Sequence, residues 1–225
     1  MSYQKIIGGM GLGYGSKYQL LRMLGWHRND FNKRILDSVG LSGDINWIDF
    51  GYNGSQDKEP LNFDFIPEIS KKWKEFWACG NTGINWDAVG ITGDDTYILV
   101  EAKAHIDELK SYPSGSYTSQ KKNNLRIKAF LEKYNIETTV DSICNGHYQL
   151  ANRLVALDFL ISQGYKAKLI YVLFSNGYEL NASHNKSVSM DTWQNEMDRL
   201  FQDLSIKNTS AKELINLCIV DCNRR

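Results

Sequence analysis

Residues 168–175, KLIYVLFS, are apolar on both faces of an extended chain. A strand of that kind can show neither face to water, so it requires a covering layer on each side. Residues 85–92 and 96–105 share the character, with Val89, Ile91, Ile98, Leu99 and Val100, and the short Gly93-Asp94-Asp95 segment between them reads as a hairpin loop. Helical patterns flank these strands on both sides. The expected fold class is therefore α/β, or mixed α+β, built in layers.

The flanking pattern fills in the rest. A glycine-rich lead (Gly8, Gly9, Gly11, Gly13, Gly15) opens the chain. Its spacing does not match a phosphate loop, which needs G-x-x-x-x-G-K-[ST]. Ser16 is a suitable cap for a helix over 17–24 that Gly25 would close, and a second helix is expected over about 29–38. Residues 44–52 read as a strand, followed by a polar loop over 53–60. From Pro67 the apolar residues Ile69, Trp73, Phe76 and Trp77 recur at helical spacing until the break at 79–83. A long section over 106–147 holds a turn-rich stretch and a helix expected over 124–134. A helix over 148–163 carries Leu150, Leu154, Leu157 and Ile161 on one face. Asp191 with Gln194 resembles a capping box opening a further helix, and 216–222 reads as a last strand.

Composition bounds the function. With 225 residues and 25.8 kDa the chain suits one domain over 1–225. No apolar run reaches the roughly 20 residues needed to cross a bilayer, and the first residues lack a signal-peptide core. The four cysteines are scattered without a C-x-x-C pair and read as free thiols, so a cytoplasmic location is expected, with no membrane partner. The 26 basic and 26 acidic residues cancel, which excludes binding to nucleic acid by bulk charge. A local excess remains over 106–135, where Lys110, Lys121, Lys122, Arg126, Lys128 and Lys133 face three acids. That segment is either a solvated helix face or a phosphate-contacting arm.

The hairpin carries the chemistry. With Thr92 opposite Thr96, continuing the antiparallel register sets Asp87 opposite Glu101, about 5 Å apart on one sheet face, with Lys103 one step along. Two carboxylates so close repel, and a divalent cation between them relieves the repulsion. Lys103 would then bind phosphate or orient a metal-bound water. The competing reading is an ion-pair ladder, worth under about 1 kcal/mol if exposed. The apolar flanks argue that these charges are buried, where they need a reason.

Asp87, then Glu101-Ala102-Lys103, resembles the PD-(D/E)XK nuclease superfamily, with its restriction-endonuclease-like α-β-β-β-α-β core. The likeness spans about 67–175, with a long insertion over about 106–147, an N-terminal helical lead and C-terminal helix and strand additions. It implies that Asp87 and Glu101 bind Mg²⁺ (or Mn²⁺), that the Ala102 carbonyl adds a ligand and that Lys103 assists the attacking water. It also implies a role for Glu68, on the helix from Pro67, and for Gln149, on the helix after the E-x-K strand. Arg153, one turn beyond Gln149, would face a phosphate. For Glu68 a first-turn glutamate favoured by the helix dipole is the other reading; for Gln149 and Arg153 it is a solvent-facing pair. The superfamily core has one more strand before the Asp-bearing one. Either 44–52 supplies it, or the helix carrying Glu68 is not the core helix.

His27, His105, His147 and His184 show no zinc-ligand spacing, though His105 falls on the Glu101 face and is a candidate beside the site. Trp86 is expected to face away from it. No G-x-S-x-G occurs. The expected function is Mg²⁺-dependent hydrolysis of phosphodiester bonds in nucleic acid, DNA foremost, with Lys121, Lys122 and Arg126 as substrate contacts and a homodimer as a compatible assembly. The alternative is a catalytically silent nuclease-fold module that binds DNA or supports assembly.

Overall fold

Alternation of buried side chains along β4 (Ala167–Ser175) divides the molecule. Leu169, Tyr171 and Leu173 enter one core, while Ile170, Val172 and Phe174 enter another on the opposite face. The computed structural model describes residues 13–48, 59–78, 83–177 and 187–223. Around β4 it forms a five-stranded mixed sheet in the spatial order β1 (Ile45–Trp47), β2 (Ala88–Thr92), β3 (Tyr97–Lys103), β4 and β5 (Ile215–Asp221). β1 to β3 are antiparallel neighbours; β3, β4 and β5 run parallel. Among the described residues six α-helices complete a mixed α+β fold in three layers.

One face is covered by α1 (Gly15–Trp26) and α2 (Arg28–Val39), whose Leu20, Met23, Leu24, Phe31 and Ile35 pack on Ile98, Val100 and Val172. The other carries α3 (Pro67–Phe76), α4 (Tyr117–Lys133), α5 (Val140–Ser162) and α6 (Met190–Asp203). Its centre is aromatic: Trp73 lies edge-on to Phe63 at 5.2 Å and stacks on Trp77 at 5.5 Å. At the sheet edge Trp47 pairs with Gly90, and a Cβ on Gly90 would run into Ile45 and Trp47.

From Ala88 to Ile91 the hairpin register is the expected one, but the ladder ends at Ala88–Val100 and the Asp87 amide bonds to Val100 O, so the expected Asp87–Glu101 strand pair is not formed. Ala88 pairs with Val100 and Gly90 with Ile98, and the turn is closed by Asp94, whose carboxylate accepts from Thr92 Oγ1 (2.6 Å) and Thr96 Oγ1 (3.0 Å). Asp95 takes the left-handed conformation at φ 60° that so short a loop requires. β1 fills the strand position beside β2, and α3 is inserted between these two strands. The helix that leads into the three antiparallel strands is thus α2, not the one carrying Glu68. The strand expected over 44–52 covers 45–47; residues 49–52, most of the following loop, the 79–82 break, Gly8, Gly9, Gly11 and His184 lie outside the described residues.

Several helix ends differ from expectation. α1 starts at Gly15 behind an extended Tyr14, so Ser16 is inside it, and it runs through Gly25 to Trp26. Packing of Tyr18, Met23 and Leu24 outweighs the glycine's low propensity. α4 begins seven residues earlier than the pattern suggested, because Ser116 Oγ accepts the Ser119 amide at 3.2 Å as its cap. α6 is capped by Ser189, which accepts from Thr192 N, and not by Asp191. α5 is kinked at Asn145–His147, with Gly146 at φ 110°, so the helix expected from Tyr148 is its second limb. Cys144, Cys218 and Cys222 are buried free thiols, and no described helix is long and apolar enough to cross a membrane.

Candidate functional site

β2 and β3 part at their Asp87 end, and the candidate site is built in the opening. The Asp87 amide still donates to Val100 O (3.1 Å), but its carboxylate turns to accept the Ala102 amide at 2.6 Å. A strand residue sends its N–H and C=O to the same edge. The Ala102 carbonyl therefore also faces the Asp87 side, free of any β2 partner in the ladder. Strand alternation sets Glu101 and Lys103 on the α5 face, where the second limb of α5 crosses above them.

Glu101 is 1% exposed, Lys103 6% and Arg153 4%, so three charges are enclosed together. Lys103 Nζ donates to Glu101 Oε1 at 2.5 Å and to Gln149 Oε1 at 2.8 Å. Arg153 Nε donates to Glu101 Oε2 at 2.7 Å, while its other nitrogens reach Asn152 Oδ1 (2.9 Å) and the Asn85 carbonyl (2.5 Å). Its guanidinium also lies 4.9 Å from the Trp86 ring centre. Trp86 thus lines the site instead of facing away. The strand alternation that predicted otherwise ends at Ala88; residue 86 is tied to the 60–62 segment, its amide donating to Pro60 O and its Nε1 to Asn62 O.

The two carboxylates titrate in opposite directions. Burial pushes Asp87 up to about 8, with repulsion from Glu101 adding to it. Burial acts on Glu101 in the same sense, but the Arg153 and Lys103 cations outweigh it and hold that carboxyl below the usual glutamate range. Tyr171, paired with Glu101 across β3 and β4, is raised well above an ordinary tyrosine by burial and then by Glu101. Near neutrality the site holds one carboxylate, one largely protonated carboxyl and the two basic groups that close on Glu101.

The remaining expected residues divide. Gln149 and Arg153 are brought to the site, as one turn of helix spacing allows. Glu68 is not: its carboxylate accepts from Tyr165 Oη at 2.7 Å, beside Tyr97 at the start of β3. That is four residues, or about 13 Å, from Glu101 along the strand. His105 continues the Glu101 face but turns its Nδ1 to Glu108, 3.2 Å away, while Glu108 also accepts the Ala104 amide. Lys121 and Lys122 are exposed on α4. Arg126 is committed elsewhere, with its guanidinium 4.5 Å from the Phe76 ring and Nε donating to Phe76 O.

Two residues that sequence reasoning did not single out hold the arrangement. Ser111 Oγ accepts the Gln149 amide at 2.7 Å, while its backbone bridges to Gly146 and Tyr148, bracing the kink of α5. Asn62, 2% exposed at φ 52°, accepts from Trp73 Nε1 and Ile84 N through Oδ1 and from Trp86 Nε1 through its carbonyl. Neither belongs to a periodic pattern or motif that would mark it in the sequence.

Among the described residues no three His, Cys, Asp or Glu side chains gather as a ligand group. The available donors are the Asp87 and Glu101 carboxylates and the Ala102 carbonyl, an all-oxygen set suited to a hard cation such as Mg²⁺ or Mn²⁺. Both Glu101 oxygens are engaged, so a metal there would exchange with the Lys103 contact. The chain matches no family model, no curated protein and no solved structure.

Proposed function

We propose that this protein is a metal-dependent phosphodiesterase of the PD-(D/E)XK kind that acts on nucleic acid, DNA foremost. The observation that carries the reading is the convergence of Asp87, Glu101 and Lys103 where β2 leaves β3, with Gln149 and Arg153 contributed by the crossing helix. The succession α2, β1, β2, β3, α5, β4, once α3 between β1 and β2 and α4 between β3 and α5 are counted as insertions, supports it as well.

Asp87, Glu101 and the Ala102 carbonyl would hold Mg²⁺ or Mn²⁺, which supplies positive charge for the phosphate oxygens and lowers the pKa of a bound water. Lys103, once released from Glu101, orients the attacking water, and Gln149 keeps the ammonium on the site side of β3. Arg153 maintains Glu101 as a carboxylate and fixes its second oxygen. Asp87 would release its proton to solvent on holding the cation.

A second reading follows from a specific feature: both Glu101 oxygens already meet cations of the chain itself. A fold neutralised internally can persist without metal, as a DNA-binding or assembly module with no turnover.

The test is cleavage of linear duplex, single-stranded and supercoiled DNA with Mg²⁺ or Mn²⁺, by wild type and Lys103→Ala. Metal-dependent cutting that the substitution abolishes is expected. Equal cutting by both proteins sinks the assignment, and DNA binding without cutting under either metal selects the silent module.

A further inference from the structure

From residue 110 to residue 131 the sequence contains no acidic residue and five basic ones. Lys110, Lys121 and Lys122 within it are exposed, and none of the three pairs with a carboxylate among the described residues. Arg126 and Lys128 are set apart, bound to Phe76 and Glu132 respectively. The same segment bears two of the most exposed aromatic side chains among the described residues, Tyr112 at 63% and Tyr117 at 82%. Outward tyrosines interleaved with uncompensated lysines are what a single strand requires: a surface for the bases and cations for the backbone.

The segment is anchored at the candidate site. Ser111 points inward to the Gln149 amide, and Gln149 meets Lys103. In the extended chain on either side of Ser111, Lys110 and Tyr112 take the opposite, outward direction. Tyr117 opens α4 and shares a face with Lys121, one turn on. A strand with its phosphate at Lys103 therefore needs to travel only a few nucleotides to meet Tyr112 and then Tyr117.

We infer that residues 110–122 form a binding platform for single-stranded nucleic acid, with bases stacking on Tyr112 and Tyr117 and phosphates meeting Lys110, Lys121 and Lys122. This gives the proposed phosphodiesterase an unpaired strand as its substrate class, and it rests on that reading for its link to chemistry. Duplex DNA buries its base faces in its own stack and offers only backbone charge to the same surface.

Binding is measured in EDTA, where no cleavage intervenes, by fluorescence anisotropy of a short fluorescein-labelled mixed-sequence strand as DNA and as RNA, beside the DNA duplex. Wild type is expected to bind at least one single strand more tightly than the duplex. Tyr112→Ala with Tyr117→Ala weakens this by about tenfold or more, and the paired Tyr→Phe changes restore it, since the ring and not the hydroxyl carries the stacking. Lys121→Ala with Lys122→Ala lowers the salt slope by about 1.4, because each single-strand phosphate left without its cation reduces the slope by about 0.7. All four positions are exposed, so unchanged melting temperatures are expected. Duplex bound as tightly as single strand, or a paired Tyr→Ala variant within twofold of wild type, overturns the inference. Platform binding intact, with no cutting by the wild type under Mg²⁺ or Mn²⁺ or with equal cutting by wild type and Lys103→Ala, would overturn only the phosphodiesterase reading.

Discussion

Arg153 Nε donates to Glu101 Oε2 across 2.7 Å, with both side chains closed to solvent. Removing one partner of such a pair strands the other charge in a low-dielectric interior. Arg153→Ala is expected to cost about 3–5 kcal/mol in urea denaturation near neutral pH. Arg153→Lys recovers only part, because an ammonium cannot span Glu101, Asn152 and the Asn85 carbonyl together. Glu101 titrates below its ordinary value of 4.5 in the folded protein. Its stabilisation is present above the unfolded pKa and lost as pH falls through the folded one. The gap between wild type and Arg153→Ala should therefore narrow on acidification; a gap independent of pH would show that Glu101 is not the group concerned.

Asp87 has the reverse sign. Its folded pKa of about 8 lies above the unfolded 3.8, so between those values the unfolded chain releases a proton that the folded chain keeps. Metal-free stability falls across that window and levels off above pH 8. Asp87→Asn preserves an acceptor for the Ala102 amide and removes the titration. Thermal melts in EDTA should show the variant gaining on wild type from about pH 4 to pH 8, reaching a few kcal/mol. A variant less stable than wild type at pH 8 would mean that Asp87 is ionised in the fold.

The hairpin register was legible because two strands joined by three residues have almost no freedom: the Thr92–Thr96 pairing propagates to Ala88–Val100. The i, i+4 spacing likewise placed Gln149 and Arg153 together. What Arg153 touches was not legible, since the Glu101 contact depends on how α5 crosses the sheet. Trp86 was misdirected for a local reason, the ladder beginning only at Ala88, two residues after it. Glu68 was misassigned for a topological one: a helix inserted between β1 and β2 imitates in sequence the helix that precedes the strands. Ser111 and Asn62 act through loop geometry, which carries no period to detect.

Asn62 provides a test of how the wall beneath Arg153 is held. Its Oδ1 serves Trp73 Nε1 and Ile84 N, and its left-handed backbone suits asparagine better than most residues. Asn62→Ala leaves two buried donors unpaired and is expected to destabilise by about 2–5 kcal/mol. Asn62→Asp retains an oxygen that accepts from both donors and should cost less in the same denaturation series. Trp86 fluorescence should change in the Ala variant, because the Asn62 carbonyl that receives its Nε1 sits on the displaced backbone. An Ala variant as stable as wild type would mean that the 60–62 segment does not fix Trp86.

Metal binding should be coupled to protons through the same carboxyl. A cation held by Asp87 and Glu101 must displace the Asp87 proton at any pH below about 8. Apparent affinity should therefore rise about tenfold per pH unit up to that value and flatten beyond it. Calorimetry with Mn²⁺ near neutral pH, in buffers of different ionisation enthalpy, should report about one proton released per metal bound. A metal on Glu101 must also draw Lys103 from it, so Lys103→Ala should bind metal at least as tightly as wild type. Asp87→Asn should remove both the proton release and any metal-induced rise in melting temperature. Metal stabilisation that persists undiminished in Asp87→Asn would place the cation elsewhere in the molecule, and the carboxylate pair would then be structural.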